Sequence, residues 1–199
     1  MKDVVIVDSG GANLASLQFA LERLGVCARV TRRPEEIRDA ARVLLPGVGS
    51  AADAMQRLRE AQLVELLPAL RQPVLGICLG MQLLFARSDE GNTECLGVFD
   101  EEVRRLTPVP GRPVPHMGWN RLSALRGDPL IEGLEPPDYV YFVHGFAASV
   151  SPATVASVEY GAPLSAVVRA GNFYGVQFHP ERSGHIGARI LQNFLRLAA

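Results

Sequence analysis

Residues 74–85 read VLGICLGMQLLF, an apolar run that reaches Cys78 and continues directly into a helical pattern over Met81–Phe85. Gly76 and Gly80 flank the cysteine at a spacing of two residues on each side. Glycine permits the sharp, strained turn from strand to helix that lifts one side chain out of a sheet. The N–H groups at the start of the following helix favour a thiolate and can hold a developing oxyanion. The stretch predicts an α/β fold with Cys78 as a nucleophile, against the alternative of a small buried hydrophobe.

Upstream of the strand-to-helix turn at Cys78, here called the elbow, the chain alternates predicted strands and helices. An apolar strand over Val4–Val7 is followed by leucines at helical spacing, namely Leu14, Leu17, Leu21 and Leu24. A strand around 26–31, a short helix near 34–40 and a buried strand at Val43–Leu45 continue the alternation. Repeated βα units predict parallel strands joined by crossover helices.

A glycine-rich segment, Pro46-Gly47-Val48-Gly49, follows the third predicted strand. Ser50 and Asp53 then give a capping-box-like start to a helix from Ala51. Ligands of open α/β sheets bind at the carboxyl ends of the strands, where this segment and Cys78 both fall. The sequence therefore predicts one site at that edge of the sheet.

From about Thr93 the pattern becomes β-rich and antiparallel, with clustered proline and glycine at 108–115. The predicted elements are strands at Tyr139–Val143 and Val155–Glu159, a hairpin of Leu164–Arg169 with Asn172–Phe178, and an amphipathic helix from about Gly184. No linker or internal repeat interrupts the chain. One domain over residues 1–199 is expected.

The predicted hairpin ends in Gln177-Phe178-His179-Pro180-Glu181. A cysteine nucleophile needs a base, and the base needs a third group to orient its ring. Cys78, His179 and Glu181 make a plausible triad. The remaining histidines, His116, His144 and His185, have no carboxylate two residues away, and the four histidines form no metal-binding pattern.

The composition excludes several classes of partner. Twenty basic and 21 acidic side chains give a net charge of -1, so no global field favours nucleic acid or an anionic membrane. Three cysteines form no disulfide framework, which predicts a reduced, cytoplasmic compartment. The loop Ser9–Asn13 matches neither G-x-G-x-x-G nor a P-loop, so Asn13 is interpreted as a helix cap. No cofactor and no metal are predicted.

Together, these segments resemble the class I (triad) glutamine amidotransferases over nearly the whole chain. The resemblance implies a single flavodoxin-like domain with a mixed, mainly parallel sheet flanked by helices and an antiparallel β-rich C-terminal half. It also implies L-glutamine as substrate and a Cys78–His179–Glu181 triad. The remaining implied positions are oxyanion donors at Gly47, Val48 and Leu79, and substrate-binding groups at Gln82, Gly49, Gly145 and Phe146.

Within the family, segments 46–49, 115–120 (PHMGWN) and 141–144 (YFVH) resemble those of subunits that pass ammonia to a separate (β/α)8 cyclase in histidine biosynthesis. The resemblance implies a heterodimer. The residues implied to face the cyclase are Asn13, Trp119, Tyr141 and Arg182. This chain departs from the family in having Arg182 where lysine is common, and Gly145 where serine or threonine is common. Guanidinium and ammonium groups differ in geometry and hydration, so the first departure is not neutral.

Two alternatives remain open from the sequence. The same triad serves the glutaminases of anthranilate, aminodeoxychorismate and pyridoxal phosphate synthases, against which the segment Met117–Asn120 argues. A flavodoxin-like binding or redox-sensing protein would also carry an exposed elbow cysteine, because a fold fixes no activity. That second interpretation gives no role to His179 and Glu181.

Overall fold

The predicted alternation of strands and helices forms one half of a mixed β-sheet. The computed structural model of the protein describes residues 3–10, 14–123, 125–135 and 137–198. The helices in these ranges are α1 (Leu14–Arg23), α2 (Pro34–Asp39), α3 (Ala51–Glu60), α4 (Leu79–Gln82) and α5 (Gly184–Arg196). The strands are β1 (Val4–Val7), β2 (Arg29–Thr31), β3 (Arg42–Gly47), β4 (Val74–Cys78), β5 (Phe85–Ser88), β6 (Thr93–Glu94), β7 (Phe99–Arg105), β8 (His116–Ser123), β9 (Tyr139–His144), β10 (Phe146–Ala148), β11 (Thr154–Glu159), β12 (Pro163–Ala170) and β13 (Phe173–Val176).

The main sheet has the order β2-β1-β3-β4-β13-β12-β11-β8-β9 across the described residues. From β2 to β13 all neighbours are parallel, and from β13 to β9 all are antiparallel. This arrangement confirms the predicted α/β class and the predicted hairpin of β12 with β13. The carboxyl ends of β1, β3, β4 and β13 consequently meet at one edge.

The inner parallel strands, β1, β3, β4 and β13, are buried on both faces because helices or a second sheet cover each side. In β1, Val4 and Ile6 point to one core and Val5 and Val7 to the other, as the two-residue period of a strand requires. The first core contains side chains of α1 and α5, and the second contains side chains of α2 and α3. Burial of both faces explains the unbroken apolar sequence of β1.

A second sheet, with order β10-β7-β5-β6, packs on the second core, and it corrects one prediction. The expected helix over Met81–Phe85 is correct for Met81 and Gln82 and wrong beyond them: α4 ends at Gln82, and Phe85 begins β5. The carbonyl of Leu84 accepts hydrogen bonds from the N–H groups of Val98 and Phe99, which draws this backbone into the sheet with β7. Because residues 83–85 are all buried, no polar face marked the point where the helix ends.

Arg42, at the start of β3, is buried at the end of the sheet opposite to Cys78. Its guanidinium donates to the carbonyl oxygens of Phe194 and Leu197 at the carboxyl end of α5. A cation at that end of a helix compensates both the unpaired carbonyls and the helix dipole. Arg42 therefore ties α5 to the sheet. In the ranges that the structure describes, no helix is long and apolar enough to cross a membrane.

Candidate active site

The elbow at Cys78 has the strained backbone that its neighbouring glycines predicted. Cys78 ends β4 with φ +54° and ψ −112°, and α4 begins at the next residue. Residues other than glycine seldom adopt positive φ, and such strain persists only where the surrounding structure enforces it. The side chain is 7% exposed. Its sulfur lies 3.7 Å from the Val143 carbonyl oxygen and 3.8 Å from the side-chain nitrogen of Gln177.

Three glycines allow the elbow to contact β3 backbone to backbone. A Cβ at Gly80 would lie 1.7 Å from the carbonyl oxygen of Leu45, and a Cβ at Gly76 would lie 2.7 Å from the Gly80 oxygen. A Cβ at Gly47 would lie 2.8 Å from the Gly80 nitrogen. The start of α4 is thus pressed against β3. This close approach, more than the turn itself, explains why glycine is needed on both sides of Cys78.

The segment 46–49, here named the oxyanion strand, begins beside the elbow. Gly47 is the register partner of Cys78 in the parallel pair of β3 and β4. Ser9, which is 1% exposed, donates its hydroxyl hydrogen to the Pro46 carbonyl oxygen at 2.7 Å. The hydroxyl therefore anchors the oxyanion strand to the carboxyl end of β1.

His179 reaches the elbow because β13 pairs in parallel with β4. The N–H of His179 donates to the Tyr141 carbonyl oxygen at 3.0 Å, and Nδ1 of its ring lies 2.9 Å from Oε1 of Glu181. The two side chains are only 7% and 4% exposed. A Cβ at Gly187 would lie 1.9 Å from the Pro180 oxygen, so α5 packs directly on this turn. The structure thus brings the three predicted triad residues together.

The charge state of His179 follows from its neighbours. Burial lowers the pKa of the ring, but the Cys78 sulfur and the Glu181 carboxylate outweigh burial and raise the pKa to about 10. The ring is therefore an imidazolium at neutral pH. Its Nε2 atom is buried and makes no hydrogen bond within the described residues. Nε2 is the atom placed to exchange a proton with the nucleophile or with a leaving group.

Cys78 and His179 line one cleft of about 380 Å³, a volume typical of sites for small molecules. The predicted oxyanion and substrate positions all line this cleft as well: Gly47, Val48, Gly49, Leu79, Gln82, Gly145 and Phe146. Glu181 does not line it and lies behind the imidazole. All seven of these predicted positions are therefore within reach of one bound molecule.

The amide of Gln82 is held by two hydrogen bonds at the base of the cleft. Its Nε2 donates to the Phe146 carbonyl oxygen at 2.9 Å and to Oε1 of Gln177 at 3.0 Å. Because the Phe146 carbonyl can only accept, the nitrogen of Gln82 must face it. Gln82 is thereby fixed in one orientation.

Glu90 also lines the cleft, although no motif predicted it. The second sheet carries Glu90 to the start of α3, where its Oε2 accepts from the Ala51 N–H at 2.8 Å. Its local sequence, Ser88-Asp89-Glu90-Gly91, indicates only a polar turn. Long-range pairing of β5 with β7 places this carboxylate, so the local sequence carried no signal for it.

Three of the residues implied to face a cyclase form a partly exposed cluster at one end of the main sheet, in which Arg182 lies over the Tyr141 ring and Trp119 meets that ring edge-on. The guanidinium of Arg182 lies 4.5 Å from the centre of the Tyr141 ring, and the Trp119 ring lies 5.9 Å from the same ring. Trp119 is 57% exposed, which argues against a core role. The fourth implied residue, Asn13, lies outside the described residues. Further exposed apolar side chains continue this surface, namely Met117 and Tyr139.

The comparisons with known proteins agree with this fold. The family model described as "Glutamine amidotransferase class-I" matches residues 5–198, and the chain belongs to that family. Imidazole glycerol phosphate synthase subunit HisH of Xanthomonas euvesicatoria pv. vesicatoria is 54% identical over 198 residues, covering 100% of this chain and 99% of the relative. The protein of the same name from Vibrio cholerae is 50% identical over 202 residues, covering 98% and 99% of the two chains.

Solved structures share the fold at lower identity. A crystal structure of a glutamine amidotransferase superimposes with a TM-score of 0.75 at 23% identity, covering 96% of each chain. The structure of PurLQS from Thermotoga maritima superimposes with a TM-score of 0.71 at 20% identity, covering 98% of each chain. At such identities the likeness concerns the fold alone.

Proposed function

We propose that this protein is the glutaminase subunit of an imidazole glycerol phosphate synthase and hydrolyses L-glutamine to glutamate and ammonia. One observation carries the proposal: a strained elbow cysteine and a buried His–Glu pair open on a single cleft in a chain 54% identical to a HisH protein. Anthranilate, aminodeoxychorismate and pyridoxal phosphate synthase glutaminases are the alternatives that the experiment below separates.

Cys78 is the nucleophile of the proposed reaction. Its thiolate attacks the side-chain carboxamide carbon of glutamine and forms a tetrahedral intermediate. His179 gives a proton from Nε2 to the departing nitrogen, so ammonia leaves and a γ-glutamyl thioester remains. Water then attacks the thioester with His179 as base, which releases glutamate and restores the thiolate. Glu181 orients the ring and stabilises its charge throughout.

The developing oxyanion is held by backbone N–H groups from two elements. Leu79, at the start of α4, gives one donor, and the peptide of Gly47 and Val48 gives the other. Loss of one such donor costs about 10²–10³ in rate. Without the donor from Gly47 and Val48, Cys78 would therefore react more slowly by about that factor. The contact of Gly80 with β3 keeps the two donors at a fixed separation.

The body of glutamine lies along the remaining cleft residues. Gln82, Gly49 and the backbone at Gly145 and Phe146 bind its polar groups. Glu90 is the carboxylate in the cleft lining, and it pairs with the α-ammonium of the substrate. Glycine at position 145 means that this position acts through its backbone.

The ammonia passes to the HisF cyclase subunit, which forms imidazole glycerol phosphate in L-histidine biosynthesis. The residues proposed to contact HisF are Trp119, Tyr141 and Arg182, together with Asn13, which the family resemblance implies. Aromatic and arginine side chains are typical anchors of protein interfaces, and the partly exposed cluster of Trp119, Tyr141 and Arg182 supports this assignment. The reduced state that Cys78 requires is that of the cytoplasm.

The test is the rate of glutamate formation with and without HisF and the nucleotide substrate of the cyclase. We expect the rate to rise when both are present, and Cys78→Ala to abolish it. Cys27→Ala, which alters an exposed cysteine, is the matched control and should keep the wild-type rate. A rate that responds to an anthranilate synthase partner but not to HisF would contradict the assignment to this synthase.

A further inference from the structure

Two buried histidines that the proposed reaction does not use face each other across β8 and β9. His116 and His144 are register partners in this antiparallel pair, and they are 3% and 6% exposed. Nδ1 of His116 lies 3.0 Å from Nε2 of His144. His144 lines the glutamine cleft, whereas His116 does not. Any effect of His116 on the cleft must therefore act through another residue.

The chemistry of the contacts fixes the direction of every hydrogen bond. Nδ1 of His144 lies 2.8 Å from the Phe146 carbonyl oxygen, which can only accept, so this nitrogen carries the proton. In a neutral ring Nε2 of His144 then accepts, and Nδ1 of His116 must donate to it. Nε2 of His116 consequently accepts, and the Asn120 amide nitrogen lies 3.3 Å away as its donor.

These hydrogen bonds form a chain from Phe146 through His144 and His116 to Asn120, here called the histidine chain. Its Asn120 end is anchored in the sheet. Oδ1 of Asn120 accepts from the Arg121 N–H at 2.8 Å, so its other atom is the donor nitrogen, which also donates to the Glu159 carbonyl oxygen at 3.1 Å. The His116 ring stacks between Phe142 and Tyr160, with ring centres 4.7 Å and 3.9 Å away. The ring therefore has a packing contact that can be separated from its hydrogen bonds.

The Phe146 end of the histidine chain reaches the substrate cleft. The Phe146 carbonyl oxygen that accepts from His144 also accepts from the amide nitrogen of Gln82, at 2.9 Å. A carbonyl oxygen has two lone pairs, so these two donors fill it. Both acceptor positions of the carbonyl oxygen are thereby used, and the amide oxygen of Gln82 is left to accept from a bound ligand.

We propose that His116 is a positioning residue that, through His144, fixes the Phe146 carbonyl and the Gln82 amide in the orientation that binds glutamine. The proposal rests on the proposed function for the identity of the ligand. Gln82 and Phe146 contact the body of the substrate and not the reacting carboxamide. Loss of the hydrogen bonds of the histidine chain therefore raises KM and leaves kcat nearly unchanged. This is the result expected for an interaction that is equally strong in the ground and transition states.

The ionisation of the two rings supports this arrangement. Burial lowers the pKa of His116 and of His144 to about 4 in each case. Each ring therefore carries one proton at neutral pH. A single proton on each ring is what the histidine chain requires, because each ring donates one hydrogen bond and accepts one. A second proton on His144 would set two N–H groups against each other at the 3.0 Å contact with His116, and a second proton on His116 would do so at the 3.3 Å contact with Asn120.

Two substitutions of His116 separate its hydrogen bonds from its packing. His116→Phe keeps the stack on Phe142 and Tyr160 but removes both hydrogen bonds. His116→Asn loses the stack but sets an amide donor in the place of Nδ1. We expect His116→Phe to raise KM for glutamine about tenfold, with kcat within about twofold of wild type, because one buried acceptor loses its donor. His116→Asn should recover most of that KM.

If His116→Phe had the wild-type KM for glutamine and His116→Asn had a raised KM, His116 would contribute packing only, and the proposal would be wrong. A second measurement needs neither activity nor a stable variant: ¹⁵N NMR of the histidine rings in the wild-type protein. We expect both His116 and His144 as neutral rings protonated at Nδ1. A proton on Nε2 of either ring overturns the proposal even if the protein is a glutaminase. Absence of wild-type glutaminase activity, with the Nδ1 tautomers observed, would instead contradict the proposed function.

Discussion

Substitution of Gly80 by alanine tests how the elbow is held against the oxyanion strand. The new Cβ would lie 1.7 Å from the Leu45 carbonyl oxygen, whereas Cβ atoms essentially never approach closer than 3.0 Å. The first turn of α4 must therefore move away from β3 by about 1.3 Å. That movement carries the Leu79 N–H away from the Gly47–Val48 peptide.

Such a displacement is large for a catalytic site, where a shift of about 1 Å can cost 10²-fold. We expect Gly80→Ala to lower kcat for glutamine hydrolysis by about 10²–10³, comparable with removal of one oxyanion donor. The unfolding free energy should fall by about 1–3 kcal/mol, the usual range for overpacking. KM should change less, because in the proposed complex Gln82 and Phe146 contact the body of the substrate.

The assay is glutamate formation in the complex with HisF, together with thermal unfolding of each variant. Gly47→Ala is the graded comparison, because its Cβ would lie 2.8 Å from the Gly80 nitrogen and would need a smaller shift. Gly127→Ala is the matched control, because its Cβ would have no atom within 4 Å. A folded Gly80→Ala enzyme with wild-type kcat would refute the reasoning, and so would a larger loss for Gly47→Ala than for Gly80→Ala.

Three further predictions concern single contacts. Ser9→Ala removes the hydroxyl that anchors the oxyanion strand, so kcat should fall about tenfold with little change in KM; a change confined to KM would contradict this. Cys78→Ala removes one of the two groups, Cys78 and Glu181, that together raise the pKa of His179 from 6.5 to about 10 against the effect of burial. In the wild type, the raised pKa of His179 adds stability that is fully present below pH 6.5 and is lost as the pH rises towards 10. In Cys78→Ala, ¹⁵N NMR should show a lower pKa for His179. The unfolding free energy of this variant should therefore fall less between pH 6.5 and 10 than that of the wild type. Arg42→Met should cost about 3 kcal/mol in chemical denaturation by leaving carbonyls of α5 unpaired, whereas Arg38→Met, at an exposed position, should cost less than about 0.5 kcal/mol.

The parallel half of the fold, and the meeting of Cys78, His179 and Glu181 at one edge of it, could be predicted because local sequence marks the elements that carry these residues. Glycines next to Cys78 and the apolar run before it mark a strand that turns abruptly into a helix. The segment His179-Pro180-Glu181 places a base and a carboxylate within one turn. Parallel topology then brings the ends of β4 and β13 to one edge, so two distant segments meet without further information.

The second sheet could not be predicted, because it depends on pairing between distant segments. Residues 83–85 are buried on all sides, and a continuous apolar run fits a helix and a strand equally well. The pairing of β5 with β7 decides between them, and the same pairing carries Glu90 into the cleft. An acidic residue in a polar turn gives no sign of this position in sequence.

The histidine pair was missed for a related reason. The sequence shows only that neither His116 nor His144 has a carboxylate two residues away, which argues against either as the catalytic base. Their contact depends on the register of β8 with β9, which a one-residue slip would abolish. Spacing along the chain does not determine that register.

The most direct test of the central claim is to identify the residue that reacts with a glutamine-like electrophile. The protein in complex with HisF and its nucleotide ligand is treated with diazo-oxonorleucine, and the modified peptide is located by mass spectrometry. We predict one adduct, on Cys78, that glutamine protects against and that Cys78→Ala eliminates. An adduct on Cys27 or Cys95 with Cys78 unmodified, or no adduct at all, would contradict the account.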